Sequence, residues 1–251
     1  VLKNNSNKPD FRLEFFDWKL DFPEVMNETI NEKVGFDIII ANPPWDVYEG
    51  KKKTEIKDLL EYEIYNKCKG GKINAYELFL AKTDTLLRID GINCQIFQNS
   101  FLADNSSAGV RAHYLNNQQI ISIDSFPERD DPRKRVFESV KMSVCILISK
   151  KNVVEDYGFT VVFHNDRTRT KMDKVRFLKS EISHFDPKNC VIPRLKENEK
   201  EIFRKYYKGG VNKSLSDHFY CYEGELNMTF HSMYMTDDVN NPLIVKGAQV
   251  L

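Results

Sequence analysis

The strongest indication of the fold is the segment Phe36-Asp-Ile-Ile-Ile-Ala-Asn-Pro-Pro-Trp45. It begins with a compact, mostly β-branched run, which is typical of a strand buried on both faces of a parallel sheet. Pro43 and Pro44 lack the N–H that sheet pairing requires, so the strand is predicted to end at Ala41. Ligands of open α/β sheets bind beyond the carboxyl ends of the strands. The turn Asn42–Trp45 is therefore predicted to lie where a substrate binds.

The segments around this stretch alternate between strand and helix patterns. Apolar residues at helical spacing predict a helix over 74–87 capped by Asn74, and shorter helices are predicted at 105–116 and near 197–207. Strands are predicted at 11–16, 92–97, 119–126, 142–149 and 157–163, with a loop and a polar helix over 46–71. This order predicts an α/β domain ending in a hairpin of the last two strands.

The residue types in the turn suit one kind of chemistry. The lone pair of an exocyclic amine on an aromatic base is delocalised, so the nitrogen is a poor nucleophile. The side-chain oxygen of Asn42 and the carbonyl of Pro43 can accept the two amine hydrogens and localise that lone pair. Trp45 offers a flat face on which a flipped base can stack, worth about 1–3 kcal/mol. The alternative is a proline turn that ends a strand, with Trp45 filling the core.

A family resemblance rests on several segments together. Residues 36–45 resemble the catalytic motif of gamma-class adenine-N6 DNA methyltransferases, above all the type IIG restriction–modification enzymes. Residues 16–25, FDWKLDFPEV, resemble the segment before that motif, while 74–82 and 99–102 resemble the family's next helix and strand. The resemblance implies the C-terminal part of a Rossmann-like methyltransferase sheet. It further implies methylation of adenine N6 in duplex DNA, with base flipping and S-adenosylmethionine as the cofactor.

The same resemblance implies the residues around the flipped base. The catalytic turn comprises Asn42, Pro43, Pro44 and Trp45, and Phe137 matches the family's second aromatic contact. The family's usual aromatic in the turn is Tyr or Phe. A base held between Trp45 and Phe137 implies ring centres roughly 7–10 Å apart, or somewhat more when the site is empty. One alternative is that Phe137 packs in the core. The other is that Phe126 is the residue that contacts the base.

Cofactor residues are implied at Asp17, Trp18, Tyr76 and Phe79. The alternatives are a capping or solvated role for Asp17 and core packing for Phe79. No Gly-x-Gly lies upstream of Asn42, and we expect the glycine-rich cofactor turn to lie before Val1, with both ends being cuts in a longer protein. We therefore predict that this chain folds, does not bind S-adenosylmethionine with useful affinity, and self-associates or needs a partner at an unprotected sheet edge.

Candidate DNA contacts are basic residues close to these motifs. The candidates are Lys51, Lys52 and Lys53 after the turn, and Arg133, Lys134 and Arg135 before Phe137. The alternative is that both runs are solvated loops. Lys+Arg and Asp+Glu both number 37, so the net charge alone does not indicate a nucleic-acid partner.

Composition and resemblance together set the remaining expectations. Five dispersed cysteines, no signal peptide and no apolar run of membrane-spanning length indicate a cytoplasmic protein without a membrane partner. The histidines lack metal-ligand spacing, and no metal is assigned. We expect the methyltransferase part at 1–165, a connecting segment at 166–212 and the start of a target-recognition domain at 213–251. The rival functions are a glutamine or ribosomal-RNA amine methyltransferase, and a non-catalytic specificity subunit of a defence complex.

Overall fold

The structure is a computed structural model that describes residues 16–69, 72–208 and 240. Contacts divide the chain into two units, residues 1–208 and 209–251. The predicted strand at 11–16 lies outside the described residues, and so does the predicted target-recognition segment apart from Asn240. The fold is therefore that of the first unit.

Two sheets organise this unit. In chain order the strands are β1 (Phe36–Ala41), β2 (Val47–Tyr48), β3 (Ile73–Asn74), β4 (Leu87–Gln98), β5 (Gln119–Phe126), β6 (Val144–Lys150), β7 (Gly158–His164) and β8 (Met172–Leu178). The large sheet has the order β1-β4-β6-β5-β7-β8, and β2 pairs with β3 in a separate small sheet. The predicted strands at 36–41 and 119–126 are confirmed, and the one at 92–97 is extended at both ends.

The strand directions give the large sheet two edges with different chemistry. β1 is parallel to β4, β5 is parallel to β7, and β6 is antiparallel to both β4 and β5. The carboxyl ends of β1, β4, β5 and β7 consequently meet at one edge. This mixed sheet, with a reversed strand inserted between β4 and β5, confirms the predicted Rossmann-like methyltransferase fold. The predicted hairpin of the last two strands is wrong, because β6 does not pair with β7, which instead pairs with β8.

The described residues contain six α-helices, of which two short ones precede β1 and the other four connect or follow strands. They are α1 (Trp18–Asp21), α2 (Pro23–Met26), α3 (Ala75–Leu86), α4 (Ala108–Asn117), α5 (Lys179–Phe185) and α6 (Lys200–Lys208). The core joins aromatic residues of α3 and α4 to the sheet, as in the parallel stack of Tyr76 on Phe97. No helix in this part of the chain is long and apolar enough to cross a membrane.

The first strand departs from its predicted burial. Ile38 and Ile40 are 60% and 78% exposed, so the run is not covered on both faces as its composition predicts. β1 ends the strand order and pairs with β4 alone among the described strands. Hydrophobic composition identified the strand correctly, but burial depends on which layers cover it.

The predicted connecting segment 166–212 contributes directly to the first unit. It contains β8, an outer strand of the large sheet, followed by α5 and α6. Val175 and Phe177 are buried while Lys174 and Arg176 are exposed, which is the alternation expected of a half-buried strand. Residues Met172–Leu178 of this segment are therefore part of the large sheet.

Candidate active site

The sheet edge formed by the carboxyl ends of the parallel strands gathers the candidate residues. Asn42 follows β1, Asn99 follows β4, and residues 127–143 connect β5 to β6. Asn42 is exposed, whereas Pro43 beside it is buried. The fold therefore presents the Asn42 amide at this edge on a turn whose backbone is anchored in the protein.

Two hydrogen bonds fix the turn. The indole Nε1 of Trp45 donates to Oδ1 of Asn42 at 3.2 Å. The amide Nε2 of Gln98, at the end of β4, donates to the backbone carbonyl of Trp45 at 2.9 Å. Gln98 is buried, so its amide is an internal support for the turn. The sequence motifs gave no indication of this role.

Phe137 contacts Trp45 although the two residues are far apart in the chain. Their ring centroids lie 5.3 Å apart with an interplanar angle of 81°, an edge-to-face contact. Phe126, the competing candidate, is buried and stacks on His164 at 4.3 Å. The expected separation of 7–10 Å is wrong for this structure, because the two rings touch and leave no room for a base between them.

A buried polar network lies behind the turn. The backbone N–H of Ala75 donates to the Asp46 carbonyl at 2.8 Å, which joins the start of α3 to the turn. Glu77 Oε1 accepts hydrogen bonds from Asn74 Nδ2 and Ser107 Oγ, both at 2.8 Å. Burial raises the pKa of Glu77 to about 7, against the lowering effect of these hydrogen bonds. Asn74 thus precedes α3 as predicted, but its side chain bonds Glu77 instead of the helix backbone.

The arginine-rich loop before Phe137 uses its basic residues in different ways. The Arg135 guanidinium donates to the backbone carbonyls of Arg129, Asp130 and Glu138, at 2.7, 2.7 and 3.1 Å. It therefore holds the loop together. Arg133 forms a two-pronged contact with Asp131 at 3.1 and 3.2 Å, whereas Lys134 is exposed. Arg133, whose side chain is 85% exposed, and Lys134 are thus the predicted DNA contacts of this loop that present their side chains to solvent.

The lysine run lies just beyond β2. Lys51, Lys52 and Lys53 belong to a 3-10 helix, Gly50–Ile56. Lys51 and Lys52 are exposed and Lys53 is half-buried. The run is close in sequence to the turn, and its predicted role in DNA contact stays a prediction.

The four predicted cofactor residues divide into two groups by their contacts. Asp17 caps α1 by accepting from the backbone N–H groups of Lys19 and Leu20, at 2.8 and 3.2 Å. Trp18 packs against Phe22 and Phe36, at 6.0 and 5.8 Å.

The second group lies on α3. Tyr76 is fully buried, and its hydroxyl bonds Ser100 and Ser107 at 3.0 and 2.7 Å. Phe79 is 46% exposed, so the core-packing alternative for it is wrong. The Asp17 carboxylate thus caps a helix and the Tyr76 hydroxyl lies in the core, and the cofactor role of these four residues stays a prediction.

A cavity of about 350 Å³ lies further along the same edge, among residues that include Asn99, Ser125, His164 and Arg194. His164 is buried, and its Nε2 lies 2.6 Å from Asp124 Oδ1. Ser125 Oγ donates to Asn99 Oδ1 at 3.0 Å. The edge is therefore polar beyond the turn as well.

Comparison with known proteins places this chain among methyltransferases. It is similar to the type II methyltransferases M.HincII and M.HindII of Haemophilus influenzae, with 26% identity over 139 residues in each case. The matched part is 53% of this chain and 27% and 26% of the two relatives. The chain thus spans about a quarter of the length of the curated relatives it matches.

Solved structures with similar folds include two restriction–modification proteins. The methyltransferase subunit of a type I system from Streptococcus thermophilus is 16% identical, with a TM-score of 0.46 over 62% of this chain and 37% of that chain. The type IIG restriction endonuclease BpuSI is 16% identical, with a TM-score of 0.48 over 69% of this chain and 22% of that chain.

The family assignment itself comes from sequence. A profile of the Eco57I restriction-modification methylase family matches residues 1–132, which include the turn at Asn42–Trp45 and amount to more than half of the sequence. The chain therefore belongs to the Eco57I restriction-modification methylase family.

Proposed function

We propose that the protein methylates the N6 amine of adenine in duplex DNA, with S-adenosylmethionine as the methyl donor, within a restriction–modification system. The observation that carries the proposal is the Asn42 amide, exposed at the carboxyl edge of the sheet and flanked by Trp45, which Phe137 contacts. Membership of the restriction-modification methylase family supports the reaction class. The type II methyltransferase relatives support the same class.

The acceptor chemistry follows from the turn. Oδ1 of Asn42 and the carbonyl oxygen of Pro43 accept one amine hydrogen each, which concentrates the nitrogen lone pair away from the ring. S-adenosylmethionine would supply the methyl group by direct transfer: the new N–C bond would form as the methyl–sulfur bond breaks, the thioether product would leave, and the amine would release one proton to solvent. No covalent intermediate with the protein would be required. Fixed dipoles aimed at developing charge, together with alignment of the reacting groups, supply the rate acceleration.

Entry of a base requires the two aromatic rings to separate. Trp45 and Phe137 touch edge to face at 5.3 Å, whereas a base between them needs roughly 7 Å or more between ring centres. The Trp45 backbone is held by Gln98, and Phe137 lies in the loop between β5 and β6. We therefore assign the opening movement to the Phe137 loop, with Trp45 as the fixed stacking surface.

We assign DNA binding to exposed cations that lie close in sequence to the turn and to Phe137. Lys51 and Lys52 lie beyond the turn, and Lys134 lies in the Phe137 loop. Each fits a phosphate contact, which fixes the position of DNA without reading its sequence. Arg135 stabilises the loop that carries Phe137 through its three carbonyl contacts.

The test uses Asn42→Ala in the protein expressed from its natural full-length gene. Transfer of labelled methyl groups to adenine in duplex DNA should fall to background, while DNA binding is retained because the phosphate contacts remain. Asn152→Ala is the matched control, since Asn152 follows the carboxyl end of the antiparallel β6 and lies at the opposite sheet edge. Near-normal adenine methylation by the Asn42 variant contradicts the assigned role. Methylation of a protein glutamine or of ribosomal RNA instead supports one of the rival functions.

A further inference from the structure

A hydrogen bond within the turn joins two side chains that the proposed function uses. Trp45 Nε1 lies 3.2 Å from Asn42 Oδ1. An indole N–H can only donate, whereas a side-chain amide has an accepting oxygen on one side and a donating NH₂ group on the other. The indole therefore selects the orientation of Asn42 in which the oxygen, not the NH₂ group, faces Trp45.

The surroundings keep this donor in place. Pro43 and Pro44 separate the two side chains, and their rings restrict the backbone between them. Gln98 holds the carbonyl of Trp45 at 2.9 Å, and Phe137 packs edge to face against the indole. The distance between the indole N–H and the amide is thus constrained by the backbone as well as by the bond itself.

The bond leaves the oxygen able to accept a second donor. An amide oxygen has two lone pairs, and the Trp45 indole occupies one of them in this structure. The other is available to the amine of a base stacked on the indole face. A phenylalanine at position 45 would provide an aromatic face but no N–H, so this orienting contact depends on tryptophan.

We propose that Trp45 is a positioning residue for Asn42, holding the amide oxygen toward the acceptor amine through its indole N–H, in addition to stacking on the base. The inference rests on the proposed function, in which the Asn42 oxygen accepts the amine. It adds an effect of Trp45 on turnover that stacking alone does not predict.

The first test detects the hydrogen bond between Trp45 and Asn42 directly and needs no measurement of methylation activity. The chain has two tryptophans, so a ¹⁵N–¹H spectrum contains two indole signals, and Trp18→Phe identifies the one from Trp45. Asn42→Ala should move the Trp45 indole proton upfield and speed its exchange with solvent, because the acceptor is lost. Asn152→Ala, at the opposite sheet edge, should leave the signal in place. An unmoved signal in Asn42→Ala overturns the proposal.

The second test separates orientation from stacking by kinetics in the natural full-length protein. Trp45→Phe should lower kcat about three- to tenfold, the equivalent of one ordinary hydrogen bond, with the DNA KM nearly unchanged. The same change in an Asn42→Asp background should lower kcat much less, because a carboxylate has two equivalent oxygens and needs no orienting donor. Equal losses in both backgrounds, or a raised KM with unchanged kcat, indicate stacking alone and contradict the positioning role.

The two tests also distinguish this inference from the proposed function. If the wild-type protein does not methylate adenine while the Trp45 signal still responds to Asn42→Ala, the proposed function fails and the orienting contact stands. If adenine is methylated but the signal does not respond, the proposed function stands and the positioning role fails.

Discussion

Glu77 should make the stability of this protein depend on pH near neutrality. Its carboxyl group is fully buried, and Oε2 has no hydrogen-bond partner in the described part of the chain. Oε1 accepts from Asn74 and Ser107, but burial dominates and raises the pKa to about 7 from an ordinary value of 4.5. The folded protein thus binds this proton more tightly than the unfolded chain does.

The sign and size of the effect follow from that difference. A raised pKa in the folded state stabilises the fold fully below the unfolded value, and this contribution is lost as the pH rises through the folded value. The shift of roughly 2.5 pKa units corresponds to about 3 kcal/mol, present at about pH 4 and largely lost by about pH 8. Glu77→Gln keeps the shape of the side chain and removes its titration, so this pH dependence should disappear.

Urea unfolding at several pH values measures the effect, and the difference between wild type and Glu77→Gln removes the contribution of other groups. The wild-type protein should lose about 3 kcal/mol relative to the variant between about pH 4 and about pH 8. Glu63→Gln, at an exposed glutamate, should follow the wild-type profile. Parallel profiles for wild type and Glu77→Gln would refute the buried, protonated carboxyl.

Three further predictions concern packing, association and cofactor binding. Gly109→Ala should lower the free energy of unfolding by about 1–3 kcal/mol in urea despite alanine's helix propensity, because a Cβ there would lie 2.3 Å from the Lys67 carbonyl oxygen; an unchanged midpoint contradicts this packing. Ile40→Lys should change stability by less than about 0.5 kcal/mol and reduce self-association in light scattering, since Ile40 is exposed on the outer strand; a monomeric wild-type chain contradicts the association. Calorimetric titration of the 251-residue chain with S-adenosylmethionine should show no binding at micromolar concentrations; one-to-one micromolar binding would show that the cofactor residues were assigned wrongly.

Local patterns predicted the elements of this fold well where the signal lies within a few residues. The β-branched run and the following prolines identify β1 and its end at Ala41, and apolar spacing identifies α3 after Asn74. The strand β8 was missed although Val175 and Phe177 alternate with charged residues. Its pattern is short and lies in a polar stretch, so composition outweighed periodicity.

Properties that depend on distant partners were predicted less well. The predicted pairing of β6 was wrong. β6 lies between β4 and β5 in the sheet, and this position is set by the packing of the whole sheet. The burial of Ile38 and Ile40 was wrong for the same kind of reason, since a sequence run does not state which layers cover it. The contact between Trp45 and Phe137 came from family resemblance, and no local pattern indicates it.

The supports of the turn were missed because each is an ordinary polar residue in a strand or helix. Gln98 ends β4 and bonds the carbonyl of Trp45, and nothing in its neighbourhood marks it. Asn74 and Glu77 do carry a signal, because an Asn followed three residues later by Glu is the spacing of a helix capping box. The structure uses that spacing for a bond between the two side chains, and the Glu77 carboxylate also accepts from the Asn74 backbone.

The candidate site has two parts. The hydrogen-bond acceptor part at Asn42 is already formed, whereas the aromatic part at Trp45 and Phe137 is closed. The acceptor part is preorganised: Gln98 holds the Trp45 backbone, and the indole holds the Asn42 amide. The stacking part is closed, since Phe137 occupies the space beside the indole where a base would lie. Under the proposed function, a fixed acceptor would need no rearrangement when charge develops on the amine, while each base that enters would have to break the closed aromatic contact. Opening the aromatic contact would therefore weaken DNA binding, so substitutions at Phe137 should affect KM. The fixed amide would speed turnover, so substitutions at Asn42 should affect kcat.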